Sequence, residues 1–296
     1  MQIKTTPARR VFMVCNYVIL TITAACCLLP FINLLAVSFS ESSAVAAGDV
    51  TFWPVGFTLD SYKFVASSDK FLRAFVISII RVILGVAVNM LMMVITAYPL
   101  SRDNKQLAGR NIYAWFFVIT MLVGGGLIPT YLVIVKTGLI NSIWALILPG
   151  ALPVYNMVIL LNFFRELPKE LEEAARIDGA SFWSVLWKII LPVSKPALAT
   201  VGLFCIVSHW NSWFDGLIYM NTPRMYPLQS YLQTMIMNPE QMLQAAGSDY
   251  TKLLAMVNAR TSRAAQLFLG ALPILCVYPF LQKYFTTGLV MGSVKG

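Results

Sequence analysis

Residues 73–99 read RAFVISIIRVILGVAVNMLMMVITAYP, and between Arg73 and Pro99 only Arg81 carries a charge. An α-helix rises about 1.5 Å per residue, so a bilayer core of about 30 Å takes around 20 mainly apolar residues. This stretch predicts a membrane-spanning helix. The whole chain agrees: of its 296 residues, 58% are apolar and 12% charged. A soluble domain carries about 25% charged residues, twice the polar coat available here. The fold class is therefore an all-α membrane protein.

Outward from that stretch, five further runs have span-like length: Val11 to Val37, Ile112 to Val135, Ile143 to Phe163, Pro196 to Leu217 and Ala264 to Phe285. Six transmembrane helices are expected, with no internal repeat and no soluble second domain. The first run follows Arg9 and Arg10 and passes Ala24, Ala25 and Cys26, as a signal peptide with a lipidation site would. Its apolar stretch continues beyond Cys27, however, which predicts a retained span. Placing the N-terminus inside puts more Lys and Arg in the cytoplasmic segments than outside, and both termini are expected in the cytoplasm. The two long loops, Phe39 to Leu72 and Ile218 to Arg263, then lie outside, the second with a helix expected near Pro239 to Ala246.

Several function classes drop out. The net charge of +9 comes with no basic cluster interleaved with aromatics, so no nucleic-acid partner is expected. One histidine, His209, cannot build a multi-histidine metal site, and no metal is expected. Cys15, Cys26, Cys27, Cys205 and Cys276 lie in apolar runs, as small buried hydrophobes do. No phosphate-binding Gly-Lys-Ser/Thr loop, HExxH or nucleophile elbow is present, so no catalytic residue is assigned. Arg81 is the one cation inside a span and is expected to snorkel outward. His209 by itself makes no proton relay.

One loop differs from all others. Residues 167–196 read LPKELEEAARIDGASFWSVLWKIILPVSKP, and they concentrate charge (Glu170, Glu172, Glu173, Asp178) in a chain that is otherwise poor in it. Pro168 suits a helix start and Lys169 to Ile177 are strong helix formers. Gly179 offers a left-handed turn, Ser181 can cap a second helix, and Pro192 and Pro196 are expected to end it. The result is a helix–turn–helix with a small-residue tip at Ala174, Ala175, Gly179 and Ala180. Composition alone also fits an amphipathic interfacial loop.

The spacing Glu173-Ala174-Ala175, Gly179, Ile189, Leu191-Pro192 resembles the EAA motif of ABC importer permeases, and Asp178 and Ala180 agree with its sugar-importer members. Gly288 with GSVKG at Gly292 to Gly296 is similar to the tail of maltose-importer type permeases, and Trp210-Asn211 is a pair common there. With GGGLIPTYL at Gly124 to Leu132, the chain resembles the polysaccharide and complex-oligosaccharide branch from about residue 10 to 296.

That resemblance implies a type I importer permease fold: a cytoplasmic N-terminus (1–10), a six-span body (11–286) with its coupling loop at 164–195, and a cytoplasmic tail (287–296). It implies a bacterial cytoplasmic membrane location and a carbohydrate substrate. The partners would be a second permease chain in a heterodimer, two ABC ATPase subunits and an extracytoplasmic solute-binding protein. This chain would bind no cofactor, since ATP and Mg sit on the ATPases. Glu173, Ala174, Ala175, Asp178, Gly179, Ala180, Leu191 and Pro192 would form the ATPase-coupling element, and the tail residues Ser293, Val294, Lys295 and Gly296 would reach between the ATPases. Gly125, His209, Trp210, Asn211, Trp213 and Asp215 would line the sugar path. Import of another small solute, or secondary transport, are the competing readings at this point.

Overall fold

The computed structural model describes residues 7–237 and 259–293. Every regular element among them is helical. The helix expected near Pro239 to Ala246 lies outside the described residues, as do Val294, Lys295 and Gly296.

The chain divides into two compact units, residues 1–71 with 234–272 and residues 72–233 with 273–296. In the first, α1 (Pro7–Ser38) runs 32 residues through an internal Pro30, and α2 (Ser42–Ala47) and α3 (Asp60–Ser67) follow. The end of α1 is tied down locally. Ser40 Oγ donates to the Ala36 carbonyl and accepts from the Val55 amide, while the Phe39 ring stacks between Phe57 and Tyr62. The rest of α1 is exposed along its length, including Cys15, Cys26 and Cys27. Of the five cysteines only Cys205 is buried, so the expectation of buried thiols fails for the other four. Cys15, Cys26 and Cys27 sit on the exposed stretch of α1.

The second unit is organised by α4 (Asp69–Leu100), 32 residues long like α1. These two are the described helices that are singly long and apolar enough to cross a membrane. The two predicted spans that follow α4 are broken. α5 (Arg110–Leu122) and α6 (Leu127–Lys136) meet at 111°. The break falls at Gly124 to Gly126, with Gly126 at φ 81°, a left-handed backbone that side chains resist. Three successive glycines thus interrupt the predicted span 112–135 near its middle. The run from Ile143 is likewise no continuous α-helix: tight turns over Ile143–Gly150 join α7 (Val154–Glu166) at 49°. Pro149 and Pro153 lack the amide protons that a continuous ladder needs.

α8 (Glu170–Ile177) and α9 (Phe182–Val193) form the expected helix–turn–helix. Gly179 adopts φ 79°, and the Ser181 side chain accepts from the Ser184 amide as an N-cap. Pro192 does not end α9, which winds through Leu186–Ile190 as a π-turn and continues to Val193. The chain bends by 82° at Ser194, where α10 (Lys195–Asn211) begins. α11 (Phe214–Tyr219) and α12 (Leu228–Met237) follow, and α13 (Ala259–Ser293) carries Pro273 and Pro279. Met93, Ala97, Leu160, Val185, Leu186 and Val201 sit in one buried apolar cluster that joins α4, α7, α9 and α10.

Candidate functional site

Two polar groupings stand out in the second unit. The first surrounds Arg81. Breaking a helix inside a bilayer frees backbone carbonyls, and with no water there they must find donors within the protein. α10 ends at Asn211, and Arg81 answers that break: Nη1 donates to the Ser212 carbonyl at 3.3 Å and Nη2 to the Leu146 carbonyl at 3.5 Å. The same guanidinium grips Asp215 through both nitrogens, with Nη1 3.2 Å from Oδ1 and Nη2 paired with Oδ2. Asp215 also accepts from Ser212 Oγ and the Gly216 amide, each at 2.9 Å. Arg81 is 2% exposed, so the expectation that it snorkels outward is wrong. A charge partner 134 residues away holds it inside.

Arg81, Gly85 and Asn89 follow at four-residue intervals and form one row on α4. Asn89 Nδ2 donates to the carbonyls of Gly150 (2.7 Å) and Ala151 (2.9 Å). Its Oδ1 is therefore the acceptor toward His209 Nε2 at 2.7 Å, which makes Nε2 the protonated nitrogen. Gly85 is what admits the imidazole: a Cβ there would lie 2.5 Å from Nε2. Arg81, Asn89, Asn156, Ser208, His209 and Asp215 together line a cavity of about 250 Å³.

The expected path residues separate on this geometry. His209 and Asp215 reach the cavity wall. Trp210 does not: it is buried edge-on against Phe75, their ring centres 5.7 Å apart. Asn211 and Trp213 are exposed outside the cavity, and Gly125 lies in the α5–α6 break with open space around it. Sequence reasoning singled out Arg81 but turned it outward, and it missed Asn89 and Asn156. Their signal was present, because polar groups in an apolar run are functional candidates by default.

The second grouping fixes α8. Glu172 is buried although its neighbours Leu171 and Glu173 are exposed. Tyr98 Oη donates to Glu172 Oε1 at 2.9 Å, Arg102 Nη1 pairs with Oε2, and Arg176 Nη2 approaches Oε1 at 3.5 Å. The Arg102 guanidinium covers the Tyr98 ring at 4.3 Å, and burial pulls its pKa below the usual arginine range. At the rim Lys169 bonds Asp103 at 3.1 Å, and that hydrogen bond holds the Asp103 carboxyl below its ordinary value. The small residues do not form one outward tip. Ala175, Ala180 and Leu191 pack inward against the apolar cluster. The outward face carries Glu173, Ala174, Asp178, Gly179 and Ile177, whose side chain is 87% exposed and was not anticipated. Pro192 is exposed on α9; Ser293 closes α13, and its side chain is not described.

A helical chain with broken apolar segments, a partly open cavity lined by polar side chains and a helix–turn–helix offering an exposed face has the parts of a membrane transport subunit. The family description "binding-protein-dependent transport system inner membrane component" matches residues 5–290, and the chain belongs to that family. It is 42% identical to protein LplC of Bacillus subtilis over 98% of this chain and 97% of that one. It is 37% identical to the polygalacturonan/rhamnogalacturonan transport system permease protein YtcP of the same organism, over 97% and 99%. It also superposes with a TM-score of 0.88, at 31% identity, on a chain of a bacterial ABC transporter involved in import of the acidic polysaccharide alginate, covering 95% of this chain and 98% of that one. The chain is thus a permease component of an ABC importer, and the secondary-transporter reading falls.

Proposed function

We propose that this chain is one of two permease subunits of an ATP-driven importer for oligosaccharides or polysaccharide fragments, with α8 as its coupling helix. The observation that carries the coupling assignment is the division of adjacent acids on α8. Glu172 is turned inward onto α4, while Glu173 is left outward beside Ala174 and Ile177. The outward face docks on an ATPase subunit, with Glu173 making a charged contact and Gly179 allowing close approach. ATP and Mg are held by the two ATPases, and this chain is not an enzyme.

The carbohydrate class is supported by relatives named for polygalacturonan/rhamnogalacturonan transport and alginate import. The cavity suits it, since amide, imidazole, hydroxyl and carboxylate groups are the usual partners of sugar hydroxyls. His209 and Asp215 are its wall in this chain, and the second permease contributes the facing wall in a heterodimer. An extracytoplasmic solute-binding protein delivers the sugar. We read the six spans as α1, α4, the bent pair α5–α6, the turns over Ile143–Gly150 with α7, α10, and α13. Both termini are then cytoplasmic, with the body at 11–286, the coupling loop at 164–195, and the tail at 287–296 reaching the ATPases.

The test is ATP hydrolysis by the co-purified complex in lipid discs, challenged with the solute-binding protein and a panel of oligosaccharides. Stimulation by a glycan is expected. Co-purification without any ATPase subunit would overturn the coupling assignment, and stimulation by a non-carbohydrate solute would overturn the substrate class.

A further inference from the structure

Two ion-pair clamps hold a single helix, one within its length and one just past its C-terminal end. Arg81, about three turns into α4, is clamped to Asp215 beside the cavity. Arg102, just past the C-terminal end, is clamped to Glu172 of α8. The separation of 21 residue steps from Arg81 to Arg102 corresponds to about 31 Å along the helix axis. Arg102 does not hang from a loose connection. The Ser101 amide bonds the Ala97 carbonyl at 2.9 Å, the Arg102 amide bonds the Pro99 carbonyl at 3.1 Å, and Tyr98 one turn back shares the same carboxylate.

A buried carboxylate on a loop helix is unfavourable unless its charge is paired and its oxygens hydrogen-bonded. Glu172 receives both from α4 and its extension, together with Arg176 on its own helix. Elsewhere α8 meets the rest of the unit through small contacts such as Ala175, so the Glu172 cluster is its firmest link to a spanning helix.

We infer that Glu172 is a positioning residue for transport: it makes α8 and α4 move as one piece. A displacement of α8 by the ATPases then travels along α4 and, through Arg81 and Asp215, to the wall of the cavity. This rests on the reading of α8 as the coupling helix.

The test uses the whole complex, with both permease chains, ATPases and solute-binding protein, in proteoliposomes, and reads import and ATP hydrolysis separately. Glu172→Ala is expected to leave hydrolysis near the wild-type rate while import falls roughly tenfold. The charge exchange Glu172→Arg with Arg102→Glu is expected to recover most of the lost import. The inference is overturned if Glu172→Ala imports like wild type, if hydrolysis and import fall together, or if the exchange recovers nothing. Should Glu172→Ala fail to assemble, Glu172→Gln answers the same question: it keeps a hydrogen bond to Tyr98 but loses the charge facing Arg102, and unchanged import in it also overturns the inference. Each variant is scored against a wild-type complex that holds its ATPases and transports. Absence of ATPase from that wild-type complex is the separate failure of the coupling-helix reading.

Discussion

Removing the Asp215 carboxylate should damage this chain more than removing the Arg81 guanidinium. With Asp215→Ala, Arg81 stays buried at 2% exposure and keeps only the Ser212 carbonyl at 3.3 Å and the Leu146 carbonyl at 3.5 Å. Its Nε is buried with no partner among the described residues, so nothing else compensates the charge. Breaking a buried pair costs about 3–5 kcal/mol, and the 23% exposure of the Asp215 side chain argues for the lower end, about 3 kcal/mol. With Arg81→Met, Asp215 still accepts from Ser212 Oγ and the Gly216 amide and can draw on solvent. The cost should then be about 1–2 kcal/mol. The double change Arg81→Met with Asp215→Leu leaves no orphaned charge and should be milder than Asp215→Ala alone. The assay is heating of the detergent-solubilised chain followed by size-exclusion chromatography. Unfolding there is irreversible, so the midpoints rank variants rather than give equilibrium energies. The reasoning fails if Asp215→Ala melts with the wild type, or if Arg81→Met is the worse of the two.

Three further outcomes follow from local geometry. Gly85→Ala places a Cβ 2.5 Å from His209 Nε2 and must displace the imidazole from Asn89, at a cost of about 1–3 kcal/mol, whereas Gly202→Ala meets only Met90 Sδ at 3.7 Å and should be tolerated; the same heating assay compares them. Ser181→Ala removes the N-cap of α9 and should cost about 1 kcal/mol, with Ser181→Asp recovering most of it in that assay. Ile177→Ala should leave the melting of the isolated chain unchanged, because the side chain is 87% exposed, yet weaken ATPase co-purification by about tenfold if an Ile side chain worth roughly 1.5–3 kcal/mol is buried at that contact.

Much of this protein was legible in its amino-acid order because the informative signals are local. The apolar run from Arg73 to Pro99 became one helix, the three glycines at Gly124 to Gly126 became a break, and Gly179 and Ser181 took the turn and cap roles their chemistry favours. Each depends on a few neighbouring residues, and backbone sterics or hydrogen bonding within one turn decide it. The run from Ile143 misled because apolar length cannot report that Pro149 and Pro153 interrupt the helix ladder. The tip of the helix–turn–helix misled in another way. Composition marks Ala174, Ala175 and Ala180 as small, but only packing on the α4, α7, α9 and α10 cluster turns Ala175 and Ala180 inward and leaves Ile177 outside.

The sequence by itself determined that the chain is a helical membrane protein whose charged segment at 167–196 does not behave like its other loops. Only the tertiary structure decided which charges meet. Arg81 finds Asp215 across 134 residues, Tyr98 finds Glu172 across 74, and His209 finds Asn89 across 120. No periodicity encodes such pairings. They arise because buried charges and broken backbone must find partners inside the protein, and the packed helices determine which partner is within reach.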